Sequence, residues 1–452
     1  TVVDNPEGEV DSSANLGEPS LSRNESRATR WGYRFKHDFS DNLKFTNELL
    51  VSNVDVPEST FVVPTRLRDN RNLERVLLKN PNELSSFNLN TSLLGKFTTG
   101  DIKHELLFGV EVSRDTFDDR IDINGIGDSI DIFNPQYSPD SVQPFTIPNA
   151  DTTSETNTVG FYLQDQISLS DQWIVVLGGR FDVADQTYES RDGSGLSIST
   201  QSYERTDEAF SPRAGIVYKP AENVSLYGSY TRSFKPVTGR ESSLDTTNPN
   251  PRIVFGDPFE PEVGTQFEVG VKADLLDNKL STTLALFHLE RTNVNEEGAA
   301  SAFGSQQTGK QRSQGVEVSV VGEITPEWNI LASYAYTDAI VSEDDAFPEG
   351  NSLRNVPKHG ASLWTTYQIK SGNLRGWGLG LGLYYVGERQ GDLNNSFTLP
   401  SYLRTDASLF YRRSNLSASL NFQNLFDVNY YQGARNDLRV IPGAPFTVFG
   451  KV

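Results

Sequence analysis

Strict alternation of apolar and polar residues recurs along this chain from about residue 30 to its end, and it narrows the available folds more than any other feature. In residues 265–275, Phe267, Val269, Val271, Ala273 and Leu275 share one parity, and Gln266, Glu268, Lys272 and Asp274 share the other. Residues 316–324 set Val316, Val318, Val320 and Ile324 against Glu317, Ser319 and Glu323. In 416–424, Leu416, Ala418, Leu420 and Phe422 alternate with Ser417, Ser419, Asn421 and Gln423. Successive side chains on a strand point to opposite faces, so each segment carries one greasy and one wet flank. No helical spacing is sustained over a comparable stretch.

The connections between these segments fall into two classes. Short polar turns stand at Ser40–Asn42, Thr99–Asp101, Ser170–Gln172, Pro220–Asn223, Leu276–Asn278, Thr325–Glu327, Ser371–Asn373 and Arg413–Asn415. Between them lie long stretches rich in Asp, Asn, Gly, Pro and Ser, at about 53–84, 114–155, 185–207, 235–262, 293–311, 340–356, 388–400 and 427–442. Short turns on one side and long loops on the other mark an outer-membrane barrel, with the long loops extracellular. Irregular loops of that length are uncommon in compact soluble domains.

The pattern therefore predicts an all-β fold, a transmembrane antiparallel β-barrel with short periplasmic turns and long extracellular loops. It gives about 17 strands of roughly 10 to 13 residues, the length a tilted strand needs to cross a bilayer. Trp31, Tyr33, Phe35, Phe39, Tyr384, Tyr385, Tyr402 and Tyr411 sit near predicted strand ends, where aromatic rings line the two water–lipid boundaries. Single-chain bacterial barrels close with an even number of strands. An odd count leads to the expectation of an N-terminally truncated barrel over 1–452, with strands absent before residue 1 and a few residues absent after Val452. Two bare sheet edges would keep such a piece from closing into a stable pore by itself.

Composition agrees and excludes rivals. Only 36% of residues are hydrophobic, and the mean hydropathy is -0.46. No run of about 18 apolar residues could make a membrane helix. A barrel is compatible with that, because only alternate residues face lipid. There is no Met at position 1 and no signal peptide. The chain has no Cys, which removes disulfide and thiolate chemistry. A net charge of -20 argues against a nucleic-acid partner.

Catalysis finds no support. His37, His104, His288 and His359 lie far apart, without metal-ligand spacing. The acidic run 118–131 departs from a Ca²⁺ loop, since Gly125 falls at a ligand position and no bidentate Glu closes it. Residues 304–311, GSQQTGKQ, miss a phosphate loop at Gln311. The glycines of 376–385 alternate with Trp377, Leu379, Leu381 and Leu383, and so read as lumen-facing strand positions rather than a dinucleotide fingerprint.

Several segments resemble TonB-dependent siderophore receptors of the ferrichrome-receptor-like branch. They are TVGFYLQDQ (158–166), LGGRFDVADQ (177–186), FSPRAGIVYKP (210–220), VSLYGSYTRSFKP (224–236), FEVGVK (267–272), SQGVEVS (313–319), NVPKHGASLWTTY (355–367) and NLFDVNYY (424–431). The end, PGAPFTVFGKV (442–452), is similar to the start of that family's closing strand. The resemblance runs over about 21–452 through the order and spacing of these segments.

It implies a barrel of about 22 strands filled by an N-terminal plug, a monomer in the bacterial outer membrane beside lipid and lipopolysaccharide. Such receptors take up a ferric-siderophore, here of hydroxamate type by branch. They are driven by the TonB-ExbB-ExbD complex acting through an N-terminal region that these residues do not include, as they do not include a plug or TonB box. No cofactor is implied, since iron arrives inside the siderophore. Another cargo (cobalamin, haem or a carbohydrate) and a plugless passive porin are the alternatives. Wide barrels enclose a lumen that side chains cannot fill, and Arg180, Lys272, Asp274, Glu317 and Glu323 fall on the inward parity. These groups suit a removable plug better than a dry core. By the family's habit the cargo rests in an aromatic cup at the outer mouth. The candidates are Tyr430 and Tyr431 first, then Phe133, Tyr137, Phe255 and Phe259.

Overall fold

The computed structural model describes the backbone of residues 5–11, 13–137, 146–194, 197–245, 252–297 and 305–452. Side chains at 123–128, 146–150, 192–199, 242–255, 296–306 and 308 lie outside the described set. Among the described residues the chain is all strand, turn and loop, and no helix is long and apolar enough to cross a membrane.

One antiparallel sheet of 20 strands contains nearly all of the regular structure. Three of them, Asn72–Lys79, Arg240–Asp245 and Arg252–Pro258, are short additions in the loops. The other 17 form a single meander from Arg23–Ser40 to Thr447–Lys451, each strand paired with the next stave in chain order. This is the strand number read from alternation. Among the described residues no ladder joins the first of these strands to the last.

The strands are longer than expected. Leu43–Arg68 has 26 residues, Ile102–Asp131 has 30 and Ser197–Ala221 has 25. Much of what reads as loop in 53–84, 114–155 and 185–207 is thus paired backbone. The physical reason is that alternation reports a difference between two faces. Above the bilayer both faces meet water, so hairpins rich in Thr, Asp and Ser continue without an apolar parity.

The apolar side chains are on the outside. Val269 is 55% exposed and Leu379 65% exposed, with Phe108, Phe161, Leu163, Leu177, Phe210, Leu286 and Leu403 in the same belt. In water such a surface would be an aggregation site; in a bilayer it is the solvated face. Ring pairs mark the turn end of the belt, with Trp173 on Tyr218 at 4.5 Å and Trp377 on Tyr411 at 5.3 Å. The three clusters of buried apolar side chains all lie at the opposite, loop end.

Candidate functional site

Inward positions of the strands are polar and linked across the sheet. Arg180 bridges Glu111 (2.6 Å) and Asp182 (2.7 Å), Asn88 donates to Glu111 (2.5 Å), and the Tyr162 hydroxyl donates to Asn90 (2.8 Å). Higher on the same wall, Arg205 binds Asp207 (2.7 Å), which also accepts from Gln186 (2.5 Å). The loop after Lys235 is clasped onto this wall. Thr238 donates to Gln186 (2.8 Å), and the Tyr203 hydroxyl both accepts from Gly239 N and donates to Gly239 O. Gly239 has φ +134°, and a Cβ there would press on the Phe259 ring, so only glycine makes this clasp. Arg205 completes it by reaching Glu260 at 2.7 Å. That pairing holds the Glu260 carboxyl below the usual carboxylate range.

A different chemistry gathers at the loop end of strands Trp377–Val386 and Tyr402–Arg413. Register places Tyr384 directly opposite Arg404, and the guanidinium lies over the tyrosine ring at 4.6 Å. Arg404 is also held by Asp406 (3.0 Å) and reaches the Tyr430 hydroxyl at 3.4 Å. The Tyr430 ring packs on Tyr402 at 4.5 Å. Arg389 lies over the other side of this group, 5.6 Å from the Tyr402 ring, and donates to the Tyr431 carbonyl at 2.5 Å. Its side chain is 4% exposed, one Nη has no hydrogen-bond partner among the described residues, and burial lowers its proton affinity from the ordinary arginine value. Three tyrosines and two arginines thus form the inner lip of the mouth.

Asparagines fasten the loops that support this lip. Asn355 accepts from Ala434 N (2.8 Å) and donates to Ala434 O (2.7 Å). Asn424 donates to Val428 O and Ala444 O, accepts from Val428 N, and its own N–H donates to Asp406. The segments around 341–355, 389–399 and 424–444 are therefore bound into one block over the strand ends.

The sequence candidates do not converge. Tyr430 stands in the lip. Tyr431 turns instead into the block, packed against Phe397, Leu399 and Ala434. Phe133 packs with Val10, Leu73 and Ile132 under Arg71, and Tyr137, 45% exposed, donates to Asn15 O. Phe259 is 4% exposed beneath Gly239, which makes it a packing residue of the clasp. The side chain of Phe255 lies outside the described residues. Sequence reasoning missed Arg389 and Arg404, whose partners are far along the chain. A signal existed in the Arg-x-Asp of 404–406 at a strand start. Among the described residues no three metal-ligating side chains come together.

With this geometry in view, comparison with known proteins decides the family. Residues 3–425 match the family described as "TonB dependent receptor-like, beta-barrel". The chain belongs to that receptor-barrel family. The receptor barrel is similar to the metal-pseudopaline receptor CntO of Pseudomonas aeruginosa, 36% identical over 78% of this chain and 49% of that protein. It is also similar to the ferrichrome outer membrane transporter/phage receptor of Escherichia coli K12, 31% identical over 94% of this chain and 57% of the relative. In three dimensions it resembles the ferric-catecholate import receptor Fiu of E. coli K12 in its closed form. The TM-score is 0.82 at 25% identity, over 98% of this chain and 66% of that one. The receptor barrel thus spans about half to three-fifths of the length of these curated relatives. Proteins of this family reside in the outer membrane, which is where the exposed apolar belt places this chain.

Proposed function

We propose that the chain forms the wall and outer mouth of a receptor that imports a ferric-siderophore, driven from the inner membrane by TonB, with a plug domain outside these residues filling the lumen. The observation that carries the reading is the tyrosine–arginine lip on a wide, inwardly polar barrel. A siderophore already satisfies iron, so the receptor needs flat rings and hydrogen-bond donors rather than metal ligands. Similarity to the ferrichrome transporter and to the ferrioxamine B receptor of Salmonella typhimurium, 28% identical over the whole chain, supports a hydroxamate cargo. The likeness to a metal-pseudopaline receptor keeps other metal chelates as the second reading.

The test is uptake of radioactive iron by cells that lack their own siderophore receptors and express this one from its gene. Accumulation from ferric hydroxamates that stops when TonB is removed is the expected result. Entry that needs no TonB would point to a passive pore and overturn the proposal. Uptake of cobalamin or haem in place of ferric hydroxamate would keep the receptor and replace the cargo.

A further inference from the structure

The short turns of this barrel are not alike in charge. Each of the first six, Ser40–Asn42, Thr99–Asp101, Ser170–Gln172, Pro220–Asn223, Leu276–Asn278 and Thr325–Glu327, contains one Asp or Glu. The last two, Ser371–Asn373 and Arg413–Asn415, contain none, and with their flanks they carry Lys370, Arg375, Arg412 and Arg413. All four cations are exposed, and among the described residues none is in an ion pair. In a chain of net charge -20 this is a local reversal of sign, on the side where short turns face the periplasm.

Directly above those two turns the lipid-facing surface is hollow. Register sets Trp328, Tyr367, Leu379 and Leu409 side by side in one exposed row across strands Trp328–Glu343, His359–Gln368, Trp377–Val386 and Tyr402–Arg413. The next row into the membrane is Thr365, Leu381, Ala407 and Phe422. Small side chains at 365 and 407 among large neighbours leave a groove of about 410 Å³, a volume in the range of ligand sites. Its shape is fixed by the protein. The Trp328 indole N–H donates to the Thr365 hydroxyl at 2.7 Å, and that hydroxyl donates to the Asn329 carbonyl at 2.9 Å. Polar groups that hydrocarbon could not solvate are thereby satisfied, and the indole is pinned as one wall. The two rows span roughly 7 Å of strand, within the half of a ~30 Å hydrocarbon layer nearer the periplasm.

We propose that this is a binding site for one phospholipid with a net anionic headgroup, an acyl chain lying in the groove and the phosphate among Lys370, Arg375 and Arg413. Each half of the site supplies what the other lacks. A chain that moves from bulk lipid into the groove gains packing but no hydrophobic burial, so the groove selects by shape alone. The cations attract any anion, and their place at the foot of a lipid-facing groove commits them to a lipid phosphate. The site is independent of the cargo and of its import.

The experiment uses the complete receptor in phosphatidylcholine vesicles. These contain increasing fractions of phosphatidylglycerol or phosphatidylcholine with brominated acyl chains, which quench nearby tryptophan. The Trp328 signal is the difference between the wild-type receptor and Trp328→Phe. Half-quenching is expected at an about fivefold lower fraction of the brominated phosphatidylglycerol than of the brominated phosphatidylcholine. The Lys370→Gln, Arg375→Gln, Arg413→Gln triple variant should lose that preference. Ala407→Leu, which fills the groove and keeps every charge, should lose it as well. Either variant decides alone, should the other fail to insert. Equal quenching by the two lipids in the wild-type receptor would overturn the site. A preference that survives the triple variant would separate it from the turn cations, and one that survives Ala407→Leu would make it a diffuse surface attraction; both overturn the proposal. No quenching by either lipid would show that a second copy or another protein covers this face, and would overturn it too.

Discussion

The two inner walls solve the problem of polar groups in a lumen in opposite ways. On the wall around Arg180, that guanidinium ties Asp182 on its own strand to Glu111 on another, so the groups serve cohesion. On the wall around Trp364, rings lie on glycines and the Arg412 guanidinium covers the Phe410 ring. The first wall is closed with ion pairs; the second is more open, with rings laid on bare backbone. A polar lumen lining is therefore not one property. What matters is whether its groups are spent on each other.

The largest expected effect lies where the open wall is tied to its loops. Asn424 is 1% exposed, has φ 52°, and makes three side-chain hydrogen bonds to the backbone at 428 and 444. Asn424→Ala removes all three and leaves an alanine in the left-handed region, a cost of roughly 3 kcal/mol. The folded barrel should lose heat resistance in detergent gels, and the 424–444 segment should become open to protease. Unchanged heat resistance would mean that the block is held by its apolar contacts alone.

Breaking the closed wall should cost nearly as much. Arg180→Ala leaves Glu111 and Asp182 without their cation, and a partly buried pair broken on one side costs on the order of 2 kcal/mol. Arg412→Ala, on the open wall, should change stability by less than about 0.5 kcal/mol. Urea unfolding of the refolded receptor in lipid vesicles would report both. Equal losses at Arg180 and Arg412 would erase the distinction between the walls.

A smaller effect is expected at the glycine strip. Gly382→Ala brings a methyl against the Trp364 indole, and the ring must tilt off the wall, at about 1 to 2 kcal/mol. Trp364 fluorescence should shift toward the solvent-exposed range while the exposed Trp377 is unaffected. No shift would show that the indole does not rest on this glycine.

How much of this could be read from residues alone follows from which differences a sequence records. The staves were legible because lipid and lumen write different residues on alternate positions, as Phe267, Val269 and Val271 against Glu268 and Lys272 show. The hairpins above the membrane look like loops in the sequence because water on both sides erases that difference, although 114–131 is paired strand. Tyr430 was legible from NLFDVNYY, yet its neighbour Tyr431 faces the other way, into the block. Arg389, Arg404 and Trp364 were not legible. Register alone puts Tyr384 opposite Arg404 and Gly382 opposite both Trp364 and Asp406, and register depends on turns and bulges far from those residues.

The smallest effect concerns the clasp on the closed wall. Glu260 is depressed below its ordinary value chiefly by the hydrogen bond from Arg205, opposed by desolvation and aided to a lesser degree by the charge of that guanidinium. A carboxylate with a lowered folded-state value contributes stability that is fully present above its unfolded value of 4.5 and disappears as pH falls through the folded one. The clasp of Arg205, Glu260 and Phe259 should therefore hold at neutral pH and loosen once the pH falls below the unfolded value of 4.5 and through the lower folded one. Glu260 is exposed, so solvent screening keeps the effect small. An acid-stable protease acting on the 236–262 segment should cut faster at pH 3 than at pH 6, and Glu260→Gln should remove the difference. If the glutamine variant kept the same pH response, the loosening would not belong to the Arg205–Glu260 contact, and the clasp would be hinged at the wall instead of at the loop.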